Sequence, residues 1–240
     1  MSGHSKWSTI KRQKAVTDSR RSAIFTKHAR LITVAVRAGG ADPDMNARLR
    51  LAIDKARGDN MPNSNIERAI AAGTGADRGE AMKEMSYEGF GPGGVAIVVD
   101  AITDNPNRTA SDVRTIFTKH GGSLGNVNSV RWMFDTCAVL RFPIAELPPD
   151  REGFELAAID QGVEDIRTED EQVVVQAAPE KLAIIRAWLE SQGVTVSEAS
   201  IDLVPKNTVA IDSIEAPKLH ALLDALDEHQ DVTHAVTNEE

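Results

Sequence analysis

The sequence predicts an α+β chain of three domains: an N-terminal small helical domain followed by two ferredoxin-like α/β domains, one inserted in the other. Three observations predict it. Helical periodicity without strand signals fills the first 80 residues. A complete β-α-β-β-α-β run lies between Ala138 and Leu203. A β-α-β unit stands on either side of that run, each lacking a second half, and joining the two gives one split domain. The expected boundaries are 1–80 for the helical domain, 81–135 plus 205–240 for the split domain and 136–204 for the inserted one.

The helical domain comes first. Advancing about 100° per residue from Arg20, Lys27, Arg30 and Arg37 fall on one side, while Phe25, Ala29, Ile32 and Val36 fall on the other. This predicts an amphipathic helix over Asp18 to Ala38, its apolar stripe against a partner and its basic stripe facing out. Gly39-Gly40 supplies the stop. Asp42-Pro43-Asp44 turns the chain into a second helix, Asn46 to Arg57, with Leu49, Ala52, Ile53 and Ala56 inward. Ser64-Asn65-Ile66-Glu67 reads as a capping box for a third helix that stops at Gly73.

The alphabet changes at Tyr87. Gly89, Gly91, Pro92, Gly93 and Gly94 make a tight loop before a β-branched strand, Val95 to Ile102. Residues Asp104 to Thr109 turn into a helix that ends at Gly121-Gly122, and Val130 to Phe134 reads as the next strand. Asn107 or Thr109 is the expected cap. Within the insert, strand Ala138–Phe142 leads to helix Arg151–Gln161 and strand Glu164–Thr168. Strand Gln172–Ala177 leads to helix Glu180–Gln192 and strand Val196–Leu203. After Pro205, strand Thr208–Ile211, helix Ala216–His229 and strand Val232–Val236 complete the chain.

Charge is partitioned sharply. Up to residue 37 there are nine cations against the single anion Asp18, a local charge of +8, in a chain whose total is −9, which leaves −17 for the remainder. A net charge averages over faces that a polyanion meets separately. Sign-clustered charge of this kind points to nucleic acid. The candidate contacts are Lys6, Trp7, Lys11, Arg12, Lys14, Arg20, Arg21, Lys27, Arg30 and Arg37. Trp7 either stacks on a base or ribose or tucks into the helical core. Arg108 joins the set because a cation at a helix N-terminus opposes the helix dipole. An external anion or an internal carboxylate would compensate it.

Other classes find little support. No apolar run approaches the roughly 18 residues that span a bilayer, so no membrane is expected as partner. Cys137 is the only cysteine, which excludes an intramolecular disulfide and suits a reducing compartment. The six histidines show no H-E-x-x-H spacing, so no metal is expected. The Gly-rich loop precedes a strand, whereas phosphate-cradling loops follow one and open a helix. It reads as a structural turn. No nucleophile stands beside a base at a catalytic spacing, and the expectation is a non-enzyme without cofactor or small-molecule substrate. Oligomeric state is not legible.

Several motifs in order carry a family resemblance. Gly3-His4-Ser5-Lys6-Trp7, Ile24-Phe25-Thr26-Lys27 and Asn60-Met61-Pro62 resemble the opening of the YebC family. Tyr87 to Gly94, Asp104-Asn105 with Asn107-Arg108-Thr109, and Gly121 to Gly125 are similar to its middle signatures, and Ala216-Pro217-Lys218 to its end. The basic, Ser-rich start superficially resembles a mitochondrial transit peptide, but the motif at Gly3 leaves no room for one, so the chain looks like a bacterial cytoplasmic member. The resemblance implies the three-domain fold and a role in gene expression. Many members are described as probable DNA-binding transcriptional regulators. Others act as translational activators on the ribosome. The implied partner is therefore DNA or ribosomal RNA, with the ribosome itself in the second case.

Overall fold

The computed structural model describes residues 18–75, 82–169 and 171–240. These form two compact units, residues 135–204 being one and the described residues on either side of them the other. An α+β architecture is what the chain adopts, with helices at the N-terminal end and two antiparallel four-stranded sheets after them.

In the first unit, helix α1 (Asp18–Gly39) crosses α2 (Ala47–Gly58) and α3 (Asn63–Thr74). Its buried Ile32, Ala35 and Val36 meet Leu49, Ile53 and Ala56 of α2, and Ile66 and Ala69 of α3, in one apolar cluster. Phe25 and Ala29 pack against that cluster as their spacing predicts. At Gly73 the α1 and α3 backbones approach so closely that an added Cβ would lie 2.6 Å from Val36 Cβ. Asn46 is the cap of α2. Its Oδ1 accepts from Leu49 N–H at 3.0 Å, and its Nδ2 donates to the carbonyls of Ala35 and Gly40, each at 2.8 Å. Helix α3 departs from the expected capping box: it starts two residues earlier, at Asn63 behind Pro62, and no side chain caps it. Proline fixes φ for the entry and lacks only an N–H that no helix start can pair.

Strands β1 (Lys83–Phe90) and β2 (Ala96–Thr103) form an antiparallel hairpin around the Gly-Pro-Gly-Gly turn, where Gly93 and Gly94 take positive φ. Helix α4 (Pro106–Lys119), the two-residue strand β3 (Ser123–Leu124), helix α7 (Ala216–Glu228) and strand β8 (Val232–Thr237) complete this part. The sheet order is β3-β1-β2-β8. That is the ferredoxin arrangement in space, with β1 in the place of the third strand though it precedes the others in sequence. Val95, Ile97, Val99, Val113, Phe117, Leu219, Leu222 and Leu226 fill the core between sheet and helices.

Three expectations about this part are corrected. Strand β1, which no expectation included, runs through Phe90 and so takes in the start of the loop expected over Gly89 to Gly94. Its first half is polar and its packing at Gly89 uses no side chain, since a Cβ there would meet Ser123 O at 2.5 Å. Val130 to Phe134 is not a strand: residues Arg131–Met133 form a 3-10 turn, and Phe134 opens the next strand. The N–H groups of Val130 and Arg131 donate to the Glu88 carboxylate instead of a ladder. Thr208 to Ile211 contributes only one parallel bridge, between Val209 and Glu239.

The second unit follows the predicted order closely. Strand β4 (Phe134–Pro143) enters it, followed by α5 (Arg151–Gln161), β5 (Val163–Glu169), β6 (Gln172–Ala177), α6 (Leu182–Ser191) and β7 (Glu198–Pro205). The strand order β5-β6-β4-β7 is the ferredoxin-like one. Phe154 joins the helices to the sheet, edge-on to Phe142 at 6.2 Å and stacked on Trp188 at 5.1 Å. Arg141 is almost fully buried between Glu169 and Glu198, both at 3.9 Å.

Candidate nucleic-acid interface

Helix α1 carries the predicted contacts, and the structure divides them. Lys6, Trp7, Lys11, Arg12 and Lys14 lie outside the described residues. Arg20 falls on the first turn of α1, and Arg21 and Arg37 are exposed on it. Lys27 and Arg30 are different. The expected outward basic stripe is corrected at both positions, because this side of α1 is a second interior face. Lys27 is buried, donating to the backbone carbonyl of Asp227 and lying 3.2 Å from its carboxylate. Arg30 Nη1 donates to the carbonyls of Ile102 at 3.2 Å and Gln230 at 2.8 Å, and to Asp231 Oδ1 at 2.6 Å. The signal was in the sequence: Val34, on the same side of the helix at 100° per residue, is also buried.

Asp231 is the centre of this arrangement, and nothing in its sequence context singles it out. It immediately precedes β8, with its side chain fully buried. Oδ2 accepts from Arg108 Nη2 at 3.0 Å, Thr109 Oγ1 at 2.8 Å and Thr103 Oγ1 at 3.3 Å. Burial by itself would raise this carboxyl; the hydrogen bonds from Arg30, Thr109 and Arg108 outweigh it and hold the pKa at about 2. One carboxylate thus gathers an arginine from the helical bundle, an arginine and a hydroxyl from the first turn of α4, and a hydroxyl from the end of β2.

Arg108 is half-exposed and bridges Asp104, at 3.0 Å, to Asp231. Of the compensations its position allows, the internal carboxylates are realised. The expected cap of α4 is also corrected: Asn105, not Asn107 or Thr109, accepts from Arg108 N–H at 3.1 Å. Thr109 is fully buried and turned to Asp231 and Thr103 instead. The Gly121-Gly122 segment does end α4, as its composition predicts.

Sequence reasoning passed over part of the helical surface. Arg50 and Arg57 are exposed on α2 seven residues apart, hence on one stripe, with exposed Lys55 on the same helix and Arg68 on α3. Arg48, beside them, is paired with Glu84. Guanidinium groups presented in this way bind phosphate oxygens through paired N–H donors. The connection from α2 to α3, Asp59 to Pro62, is four residues long. Among the described residues no three His, Cys, Asp or Glu side chains gather as a metal site, and no helix is long and apolar enough to cross a membrane.

A helical bundle locked onto an α+β domain, which in turn carries a second α+β domain within its chain, defines a class of three-part proteins whose cations concentrate at the helical end. The chain belongs to the TACO1/YebC family. Residues 5–76 match the TACO1/YebC protein N-terminal domain and residues 82–239 the TACO1/YebC second and third domain. It is 45% identical to a "Probable transcriptional regulatory protein" of Desulforamulus reducens, over 100% of this chain and 99% of the relative. A protein of the same description from Moorella thermoacetica is 48% identical, over 99% of this chain and 95% of the relative. The crystal structure of a conserved hypothetical protein from Aquifex aeolicus superposes with a TM-score of 0.84 at 43% identity, covering 95% of this chain and 93% of that one.

Proposed function

We propose that the protein is a cytoplasmic nucleic-acid-binding regulator of gene expression, a DNA-binding transcriptional regulator of the YebC type, that acts without catalysis. The observation that carries this reading is the charge partition: +8 up to residue 37 against −17 over the remainder. The names of the relatives, transcriptional regulatory proteins, support it. Contacts to phosphate come from the N-terminal arm, with Lys6, Lys11, Arg12 and Lys14, and from Arg20, Arg21 and Arg37 of α1. Lys27 and Arg30 hold α1 against the α/β part and act by positioning it. The acidic remainder repels the polyanion and so orients the encounter.

A second reading has a specific observation in its favour. Exposed Arg21, Arg37, Arg50 and Arg57 on the helical surface supply phosphate affinity and register rather than base readout, which suits the shape and backbone recognition of ribosomal RNA. In that case the protein is a ribosome-associated translation factor that relieves stalling.

Salt dependence tests the shared electrostatic premise. With about six phosphate contacts, the log–log slope of binding is about −5 on duplex DNA and about −4 on single strands. Changing Lys11, Arg12 and Lys14 together to Ala flattens it; a wild-type slope near zero overturns the premise. Ultraviolet crosslinking in cells, followed by sequencing of bound DNA and RNA, separates the readings. Promoter DNA supports the first, ribosomal RNA the second, and recovery of neither refutes both.

A further inference from the structure

Beyond the bundle, α4 differs in charge from the other α-helices. It carries Arg108, Arg114 and Lys119 against the single carboxylate Asp112, whereas α5, α6 and α7 are neutral or acidic. Residues 82–134 around it hold five cations and five anions, so the acidic excess of the chain lies elsewhere. Asp112 faces His229 at 3.3 Å, and Asp104 faces Arg108 at 3.0 Å.

One side of α4 is fixed. Thr109, Val113 and Phe117 are buried, and Arg108 and Thr109 hold the first turn on Asp231. At about 100° per residue, the opposite side runs through Asn107, Ser111, Arg114 and Thr118, with Thr115 beside them, and all five are exposed. None of the five is apolar or acidic. Among the described residues, the side chains of Asn107, Ser111 and Arg114 have no hydrogen-bond or ion-pair partner. The hydroxyls of Thr115 and Thr118 donate to the carbonyls of Ser111 and Arg114, each at 2.9 Å, which leaves their oxygens to accept and their methyl groups to touch a partner. Helix propensity does not account for this face, because Asn, Ser and Thr all rank below Lys, Glu and Gln at exposed helical positions.

The set matches the edges of base pairs. Asn makes a two-bond pair with adenine and Arg with guanine, Ser or Thr reaches either, and a Thr methyl packs on that of thymine. A helix of 14 residues is about 21 Å long and about 10–12 Å across, which fits a major groove about 12 Å wide. The deep, narrow major groove of A-form RNA does not admit such side chains. We propose that α4 is a base-reading helix for the major groove of duplex DNA, with Asn107, Ser111 and Arg114 on base edges and Lys119 on a phosphate. The inference rests on the DNA-binding reading above and deepens it: the N-terminal cations supply affinity, and α4 supplies sequence preference.

The test selects duplex DNA with a randomised core on the full chain, then repeats the selection with Asn107→Ala, Arg114→Ala and Ser111→Glu. Fluorescence anisotropy follows on the selected duplex, a scrambled duplex and duplex RNA of the selected sequence, at two salt concentrations. Wild type enriches one motif. Arg114→Ala weakens the selected duplex by about 5- to 150-fold, far more than the scrambled one, and its own selection loses the preference for one guanine. Asn107→Ala loses the preference for one adenine, and Ser111→Glu, which sets a carboxylate in the middle of the face, abolishes the motif. Circular dichroism melts control for folding. A motif that survives all three substitutions overturns the assignment while leaving DNA binding intact, as does duplex binding by wild type that enriches no sequence. Uniform weakening by Arg114→Ala on every duplex, with the salt slope reduced by about 1, makes Arg114 a phosphate contact and also overturns it. So does duplex RNA bound as tightly as the selected DNA. Wild type that binds no duplex DNA refutes the wider reading together with this one.

Discussion

Replacing Asp231 by Asn tests the lock between α1 and the α/β part. The substitution keeps the shape and removes the charge, leaving Arg30 and Arg108 facing a neutral amide whose N–H₂ cannot accept from them. An ordinary aspartate at 3.8 and a folded value of about 2 correspond to roughly 2–3 kcal/mol of stability at neutral pH. Breaking a buried pair from one side costs about 3–5 kcal/mol, and the half-exposure of Arg108 lowers that figure. A loss of about 3 kcal/mol follows. Because two units need not unfold together, the readout is local: hydrogen exchange in α1 from Lys27 to Val34 and at the start of β8, where the loss corresponds to roughly a hundredfold faster opening. The folded pKa lies below the unfolded one, so the charge-dependent stability is fully present above pH 4 or so. It disappears as pH falls toward about 2. The gap between wild type and Asp231→Asn therefore narrows over that window, since protonated Asp231 resembles the amide. A loss below about 0.5 kcal/mol, or a gap that does not change with pH, refutes the assignment of Asp231 as the hub.

Two further substitutions probe the helical bundle. Asn46→Ala removes the α2 cap together with donors to two carbonyls of the α1 terminus, and a loss of about 2 kcal/mol in urea unfolding is expected; a loss of only a few tenths would mean that solvent replaces these bonds. Gly73→Ala, a change that stabilises an open helical site by about 1 kcal/mol, destabilises here by about 1–2 kcal/mol because its Cβ meets Val36. Val36→Ala does not rescue it, because the Cβ at 2.6 Å and the Thr33 carbonyl stay in place, and a rise in Tm for Gly73→Ala alone sinks the close-packing argument.

Local chemistry wrote much of this protein in plain form. The inserted unit was legible to within a residue or two at several ends, because its strands are continuous β-branched runs such as Gln172–Ala177 and its helix Arg151–Gln161 is bounded by Asp150 and Gly162. The apolar stripe of α1 was legible for the same reason. Strand β1 was not: it is a central strand with a polar first half and a glycine where the helix Phe117 ring needs room. Val130 looked like a strand residue, and its backbone would have paired in a ladder had Glu88, 42 residues earlier, not taken its N–H.

The candidate site shows the same division. Sequence alone determined that positive charge gathers at the N-terminal end, since charge is a property of composition and needs no fold. It could not decide which of those cations face a partner. Lys27, Arg30, Arg21 and Arg37 share one helix and one sign, yet Lys27 and Arg30 meet Asp227 and Asp231 from some 200 residues away and are turned inward. Only the tertiary structure brings those carboxylates to the helix. A buried cation is stable only where an anion and hydrogen-bond acceptors meet it, and that condition is set by packing, not by periodicity along the chain.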